Sequence, residues 1–118
     1  MRLFVYGTLK RGGSNHAQLA GQKFLGEART AHGYTLYSLG SYPGLIADAT
    51  DREGVIGEVW QVTPIALARL DAFEGLPEGL YTRGPVSLLT PFANEKVETY
   101  FYARPLAGAK KLGSLWLE

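Results

Sequence analysis

Along this chain, apolar residues come in short runs and alternations broken by glycine, proline and small polar residues, the pattern of a strand-rich domain. The first run, Leu3-Phe4-Val5-Tyr6, is continuous, as in a strand covered on both faces, and predicts a strand over Arg2 to Tyr6. It stops at Gly7, passes through a loop holding Gly12 and Gly13, and meets Ser14-Asn15, residue types that favour a helix start. Further strands are predicted over Lys23 to Glu27, Gly33 to Ser38, Leu45 to Ala47 and Val55 to Val62, with Gly40-Ser41-Tyr42-Pro43-Gly44 as a turn. Thr63-Pro64 marks a helix, with threonine as N-cap and proline at the first helical position, where its missing N–H costs nothing. That helix runs to about Glu74 and ends at Gly75.

Two long strands, Leu80 to Leu89 and Lys96 to Ala103, follow, and the tail closes on Leu115-Trp116-Leu117, which is expected to dock on the body. Strands outnumber helices and succeed one another as hairpins. The expected fold class is therefore α+β, one domain over residues 1–118, with a mixed or antiparallel sheet curled toward a small barrel and short flanking helices. A doubly wound nucleotide fold is excluded.

Composition narrows the chemistry. Twelve basic against eleven acidic residues, net +1, leave no field for a nucleic-acid backbone, and Lys10-Arg11 is a local pair at most. Cys is absent, which removes disulfides, thiolate metal sites and a cysteine nucleophile. His16 and His32 stand far apart, so a histidine-rich metal centre is not expected. No apolar stretch has signal-peptide or membrane-spanning length, and the expected address is the cytoplasm with no membrane partner.

The strand–glycine–helix junction from Val5 to Asn15 presents backbone N–H groups suited to an anion or a developing oxyanion. It is not a phosphate loop, because no Gly-Lys-Ser/Thr closes it. Ser14 lacks a neighbouring base, which argues against an acyl-enzyme serine. Glu74 is the carboxylate in an unusual place. Helical spacing sets it on one face with Leu67 and Leu70, in the last turn, where burial and the helix dipole both raise a carboxyl pKa. The alternative is a slightly rotated helix end with Glu74 in solvent. Asp71 reads as an ordinary exposed helix acid.

Glu58 alternates with Ile56 and Trp60, and either lines a site, anchors loop N–H groups or faces water. Tyr81 and Arg83 share a strand face and form either pocket wall or a surface pair. His16 reads as capping or packing, and the other tyrosines as core and pocket rim.

Five segments in order resemble the γ-glutamylcyclotransferase-like superfamily, in its compact γ-glutamylamine cyclotransferase and AIG2-like branch. They are Val5-Tyr6-Gly7-Thr8-Leu9 with Asn15-His16, Tyr42-Pro43-Gly44-Leu45, Gly57-Glu58-Val59-Trp60, Leu70-Asp71-Ala72-Phe73-Glu74-Gly75 and Tyr81-Thr82-Arg83. They cover about residues 3 to 102, and the final stretch from 104 matches no motif of the set. The resemblance implies a small β-barrel with a pocket at one end. It implies that the Tyr6, Gly7, Thr8 and Leu9 backbone binds a γ-glutamyl group and that Glu74 is the catalytic base. The implied reaction releases 5-oxoproline and a free amine from a γ-glutamyl compound, without cofactor or metal. Glu58, Tyr81 and Arg83 are the further substrate-binding candidates. The competing expectation is a non-catalytic module that binds a small anion in the same pocket.

Overall fold

The computed structural model describes all 118 residues. Eight strands form one mixed sheet: β1 (Arg2–Val5), β2 (Lys23–Arg29), β3 (Tyr34–Ser38), β4 (Pro43–Ala47), β5 (Ile56–Gln61), β6 (Tyr81–Pro85), β7 (Val97–Tyr102) and β8 (Lys110–Gly113). A single α-helix, α1 (Pro64–Phe73), and a 3-10 turn at His16–Leu19 complete the elements. The strand order is β2-β5-β1-β7-β4-β3-β8, with β6 on β7. The sheet curls so far that Ile56 N–H, at the start of β5, donates to Ser114 O just beyond β8 (2.8 Å). The expected α+β class with a curled, mixed sheet is what forms, as an incomplete barrel with one α-helix. No helix is long and apolar enough to cross a membrane.

β1 explains the continuous apolar run. Leu3 and Val5 enter one buried cluster with Trp60, Val62, Ala66 and Leu70. Phe4 and Tyr6 enter a second, on the opposite face, with Leu36, Leu45, Val59 and Trp116. A strand buried on both faces cannot alternate apolar with polar. The first cluster lies under α1; the second fills the curl of the sheet, and Trp116 in it docks the tail as expected.

Two strands share one edge of β7. β1 pairs with it in parallel over Val97–Thr99, then β4 takes over at Phe101. At the seam between them the Tyr6 hydroxyl donates to Tyr100 O (2.7 Å) and accepts from Leu45 N–H (3.3 Å). A side chain thus fills the rung that neither strand supplies. Beyond the seam β1 runs on into the glycine loop, and the space between the parted strands becomes a cavity.

Some elements differ from expectation. β6 ends at Pro85, well short of Leu89, since Leu88 turns away to an isolated bridge with Thr30. β4 begins at Pro43, which was expected in a turn; proline suits the first residue of a strand. β8 escaped notice because Lys110 and Lys111 give it no apolar alternation, as befits a charged edge strand. The short helix starts at His16, and Asn15 makes no side-chain cap, its amide being used elsewhere.

Candidate active site

The cavity at the seam has a volume of about 300 Å³. That is the low end of ligand pockets and fits a molecule of amino-acid size. Its walls come from three places: the end of β1 with its loop, the Ser41–Pro43 stretch entering β4, and the C-terminal end of α1 facing Tyr81 and Tyr100. No lysine, arginine or histidine lines it, and Glu74 is its one charged side chain.

The loop wall is built from backbone. Gly7, Thr8 and Leu9 line the cavity, and their N–H groups donate to no acceptor in the protein. Their geometry is held from behind. Asn15 N–H bonds Thr8 O and its amide Nδ2 donates to Thr8 Oγ1, both at 3.0 Å. His16 Nδ1 lies 2.9 Å from Leu9 O, so this histidine secures the loop from outside the cavity. At Gly7 a Cβ would sit 2.6 Å from the Pro43 ring, which only glycine avoids.

Glu58 holds the same loop from the other side. Its carboxylate, 6 % exposed, accepts from Arg11 N–H (3.1 Å), Arg11 Nε (3.0 Å) and Trp60 Nε1 (3.1 Å). Burial alone would raise its pKa, but these donors and the guanidinium charge hold it below the ordinary carboxylate value. Glu58 does not line the cavity. Of its readings the loop anchor is what forms, since the donors beside it all belong to the protein.

Glu74 is the opposite case. It caps α1, with its N–H on Leu70 O (2.8 Å). Gly75 N–H then bonds Ala72 O (3.1 Å) and Leu76 N–H bonds Asp71 O (3.1 Å), with Gly75 at φ +72°. This paired closure needs a left-handed residue just past the cap, and glycine supplies it. The closure turns Glu74 onto the cavity, as the apolar-face reading expected, rather than into solvent. Its carboxylate receives no hydrogen bond from the protein, and burial pushes its pKa up to about 7. Burial also raises the phenols of Tyr6, Tyr81 and Tyr100, with the Glu74 charge adding to each, so all three stay protonated.

Tyr81 lines the cavity as one reading had it, its hydroxyl donating to Pro43 O (2.6 Å). Arg83 does not line it. It shares Tyr81's face, but Asp71 binds its Nε and Nη2 at 2.9 and 3.1 Å and Glu98 takes its Nη1. These carboxylates keep it outside the cavity. Asp71 in turn is no free surface acid, since it also accepts from the Tyr100 hydroxyl (2.7 Å). That link was invisible along the chain because it depends on the β6–β7 register, which sets Arg83 opposite Tyr100. The one local hint was spacing: Asp71 lies three residues before Glu74, on the same side of α1.

The family model described as gamma-glutamyl cyclotransferase, AIG2-like, matches residues 3–117. The chain belongs to this family. The match takes in the tail that carried no recognisable motif, consistent with the docking of Trp116. A protein of Vibrio cholerae is 41% identical over 98 residues, spanning 83% of this chain and 80% of its own. The gamma-glutamylcyclotransferase family protein YtfP of Escherichia coli K12 is 36% identical over 120 residues, covering 100% of this chain and 97% of its own. The solution structure of E. coli ytfP aligns with a TM-score of 0.72, covering 98% of this chain and 95% of that one. The crystal structure of an aig2-like protein from Mus musculus is 28% identical with a TM-score of 0.71, covering 87% of this chain and 76% of that one.

Proposed function

We propose that the protein is a γ-glutamyl cyclotransferase acting on γ-glutamyl amides by intramolecular aminolysis, with Glu74 as general base. The observation that carries this is one cavity joining a partnerless carboxylate, pKa about 7, to three consecutive unpaired backbone N–H groups. A carboxylate titrating near neutrality is suited to accept a proton and return it. Fixed N–H donors suit the substrate carboxylate or a tetrahedral oxyanion.

In the proposed reaction the α-ammonium group loses one proton to Glu74. The freed amine attacks the γ-carbonyl of the same molecule, forming the C–N bond of the five-membered ring. The tethered nucleophile needs only its folded conformer held, a contribution worth several orders of magnitude in rate. Collapse of the tetrahedral intermediate breaks the bond to the leaving nitrogen. The ring nitrogen loses a second proton, and both protons end on the departing amine, which leaves as an ammonium beside 5-oxoproline. The Gly7, Thr8 and Leu9 amides bind the substrate throughout.

The test is time-dependent release of 5-oxoproline from a panel of γ-glutamyl compounds: alkylamides, the ε-amide of lysine, and γ-glutamyl amino acids. Linear release from at least one member is expected. Thermal stabilisation by these compounds without any 5-oxoproline would instead identify a binding module.

A further inference from the structure

Three of the four tyrosines lining the cavity, Tyr6, Tyr81 and Tyr100, have their protons assigned by their partners. The Tyr6 hydroxyl lies 2.7 Å from Tyr100 O and that of Tyr81 2.6 Å from Pro43 O. A backbone carbonyl can only accept, so both hydroxyls donate there. Tyr100 Oη lies 2.7 Å from Asp71 Oδ1. Asp71 takes the two-point grip of Arg83 on its two oxygens, and a carboxylate held this way only accepts. None of the three has a proton left for the cavity. Tyr6 Oη also accepts from Leu45 N–H (3.3 Å), which leaves Tyr81 and Tyr100 to offer oxygen lone pairs to whatever enters, beside the negative charge of Glu74. The opposite wall, Gly7 to Leu9, offers only N–H donors from its backbone. Apart from the hydroxyls of Ser14, Ser41 and Tyr42, the lining sets acceptors on the α1 side and N–H donors on the loop side.

We propose that Asp71 is a positioning residue: by taking the Tyr100 proton it makes Tyr100 Oη an acceptor for the substrate's α-ammonium group, opposite the amides that hold its carboxylate. Arg83 serves by holding Asp71 in place from the neighbouring strand, where it pairs with Tyr100. With one ammonium proton on Glu74, Tyr100 keeps hold of another, so the nitrogen stays oriented after it becomes a nucleophile. The inference rests on the γ-glutamyl reading above and adds how the amino end is recognised.

Two probes separate this role from a structural one: γ-glutamyl methylamide as substrate, and N-methylglutaramate, the same molecule without its α-amino group, as competitive inhibitor. Tyr100→Phe keeps the ring and removes only the acceptor. Asp71→Ala removes the acceptor that takes the Tyr100 proton and frees that proton to turn toward the cavity. Both variants are expected to raise KM for the methylamide by about ten-fold or more, the usual scale of a lost hydrogen bond to a charged group. The inhibition constant of N-methylglutaramate should stay within about two-fold of wild type for Tyr100→Phe on the same argument. Equal loss of both probes in Tyr100→Phe, or an unchanged KM in it, overturns the role of Asp71 while leaving the cyclotransferase reading intact. A wild type that releases 5-oxoproline from no γ-glutamyl amide overturns that reading, and this inference with it.

Discussion

Two glutamates, sixteen positions apart, flank the same loop-and-cavity region in opposite states. Glu58 on β5 is surrounded by donors and sits below the ordinary carboxylate pKa. Glu74 at the end of α1 has no donor at all and sits near 7. Burial acts on both in the same direction, so the difference lies in what the protein offers each oxygen. A carboxylate saturated with protein donors is spent on holding structure. One buried without any is left able to exchange a proton. The contrast places Glu58 in the anchoring of the loop and supports the proposed proton-transfer role of Glu74, although both are acids in or beside apolar surroundings.

The largest effect expected from breaking this contrast is Glu74→Gln. It should lower kcat by about 10²- to 10⁴-fold, the range of general acid–base catalysis, with the fold unchanged by circular dichroism. Near wild-type turnover in this variant would move the proton-transfer role elsewhere. Glu58→Ala should act on stability and on KM instead. It strands the Arg11 N–H and the Trp60 indole, at a cost of about 1–3 kcal/mol in urea unfolding, and loosens the amide wall it anchors. A drop in kcat with unchanged KM and stability would contradict the anchor assignment.

The smallest effect is the pH dependence of stability, and its sign differs between the two acids. Glu74 has a folded pKa raised above its unfolded value, so between the ordinary carboxylate range and about 7 the native state binds more protons. Its contribution to stability is therefore lost as pH rises through that window. Glu58 has a lowered folded pKa, so its contribution is present at neutral pH and lost as pH falls below the carboxylate range. Thermal melts from pH 4.5 to 8 should show Glu74→Gln gaining on wild type as pH rises. Parallel curves would mean that Glu74 is more solvated than its surroundings indicate.

Much of this was legible along the chain where the cause is local. Thr63-Pro64 and Gly75 bound the helix because caps depend on their own neighbours, and the spacing of Leu67, Leu70 and Glu74 placed that carboxylate. The double-faced run at Leu3 to Tyr6 announced a central strand. What stayed hidden is what register and tertiary approach decide. Arg83 carried a correct face, but its carboxylate partners come from α1 and β7. Glu58 could be narrowed to three readings, and only the approach of the Arg11 loop chose among them. β8 is an edge strand whose pairing with β3 no pattern of its own announces.

The seam in β7 bears on how variants of Tyr6 are to be interpreted. Its hydroxyl joins Tyr100 O to Leu45 N–H and so stands in for main chain. Removing that oxygen would unfasten β1 from β4 at the mouth of the cavity. Lost activity in such a variant would then look like a missing acid or base while being a fault in masonry. Tyr6 is the mortar between two strands, and its place in the motif follows from architecture before chemistry.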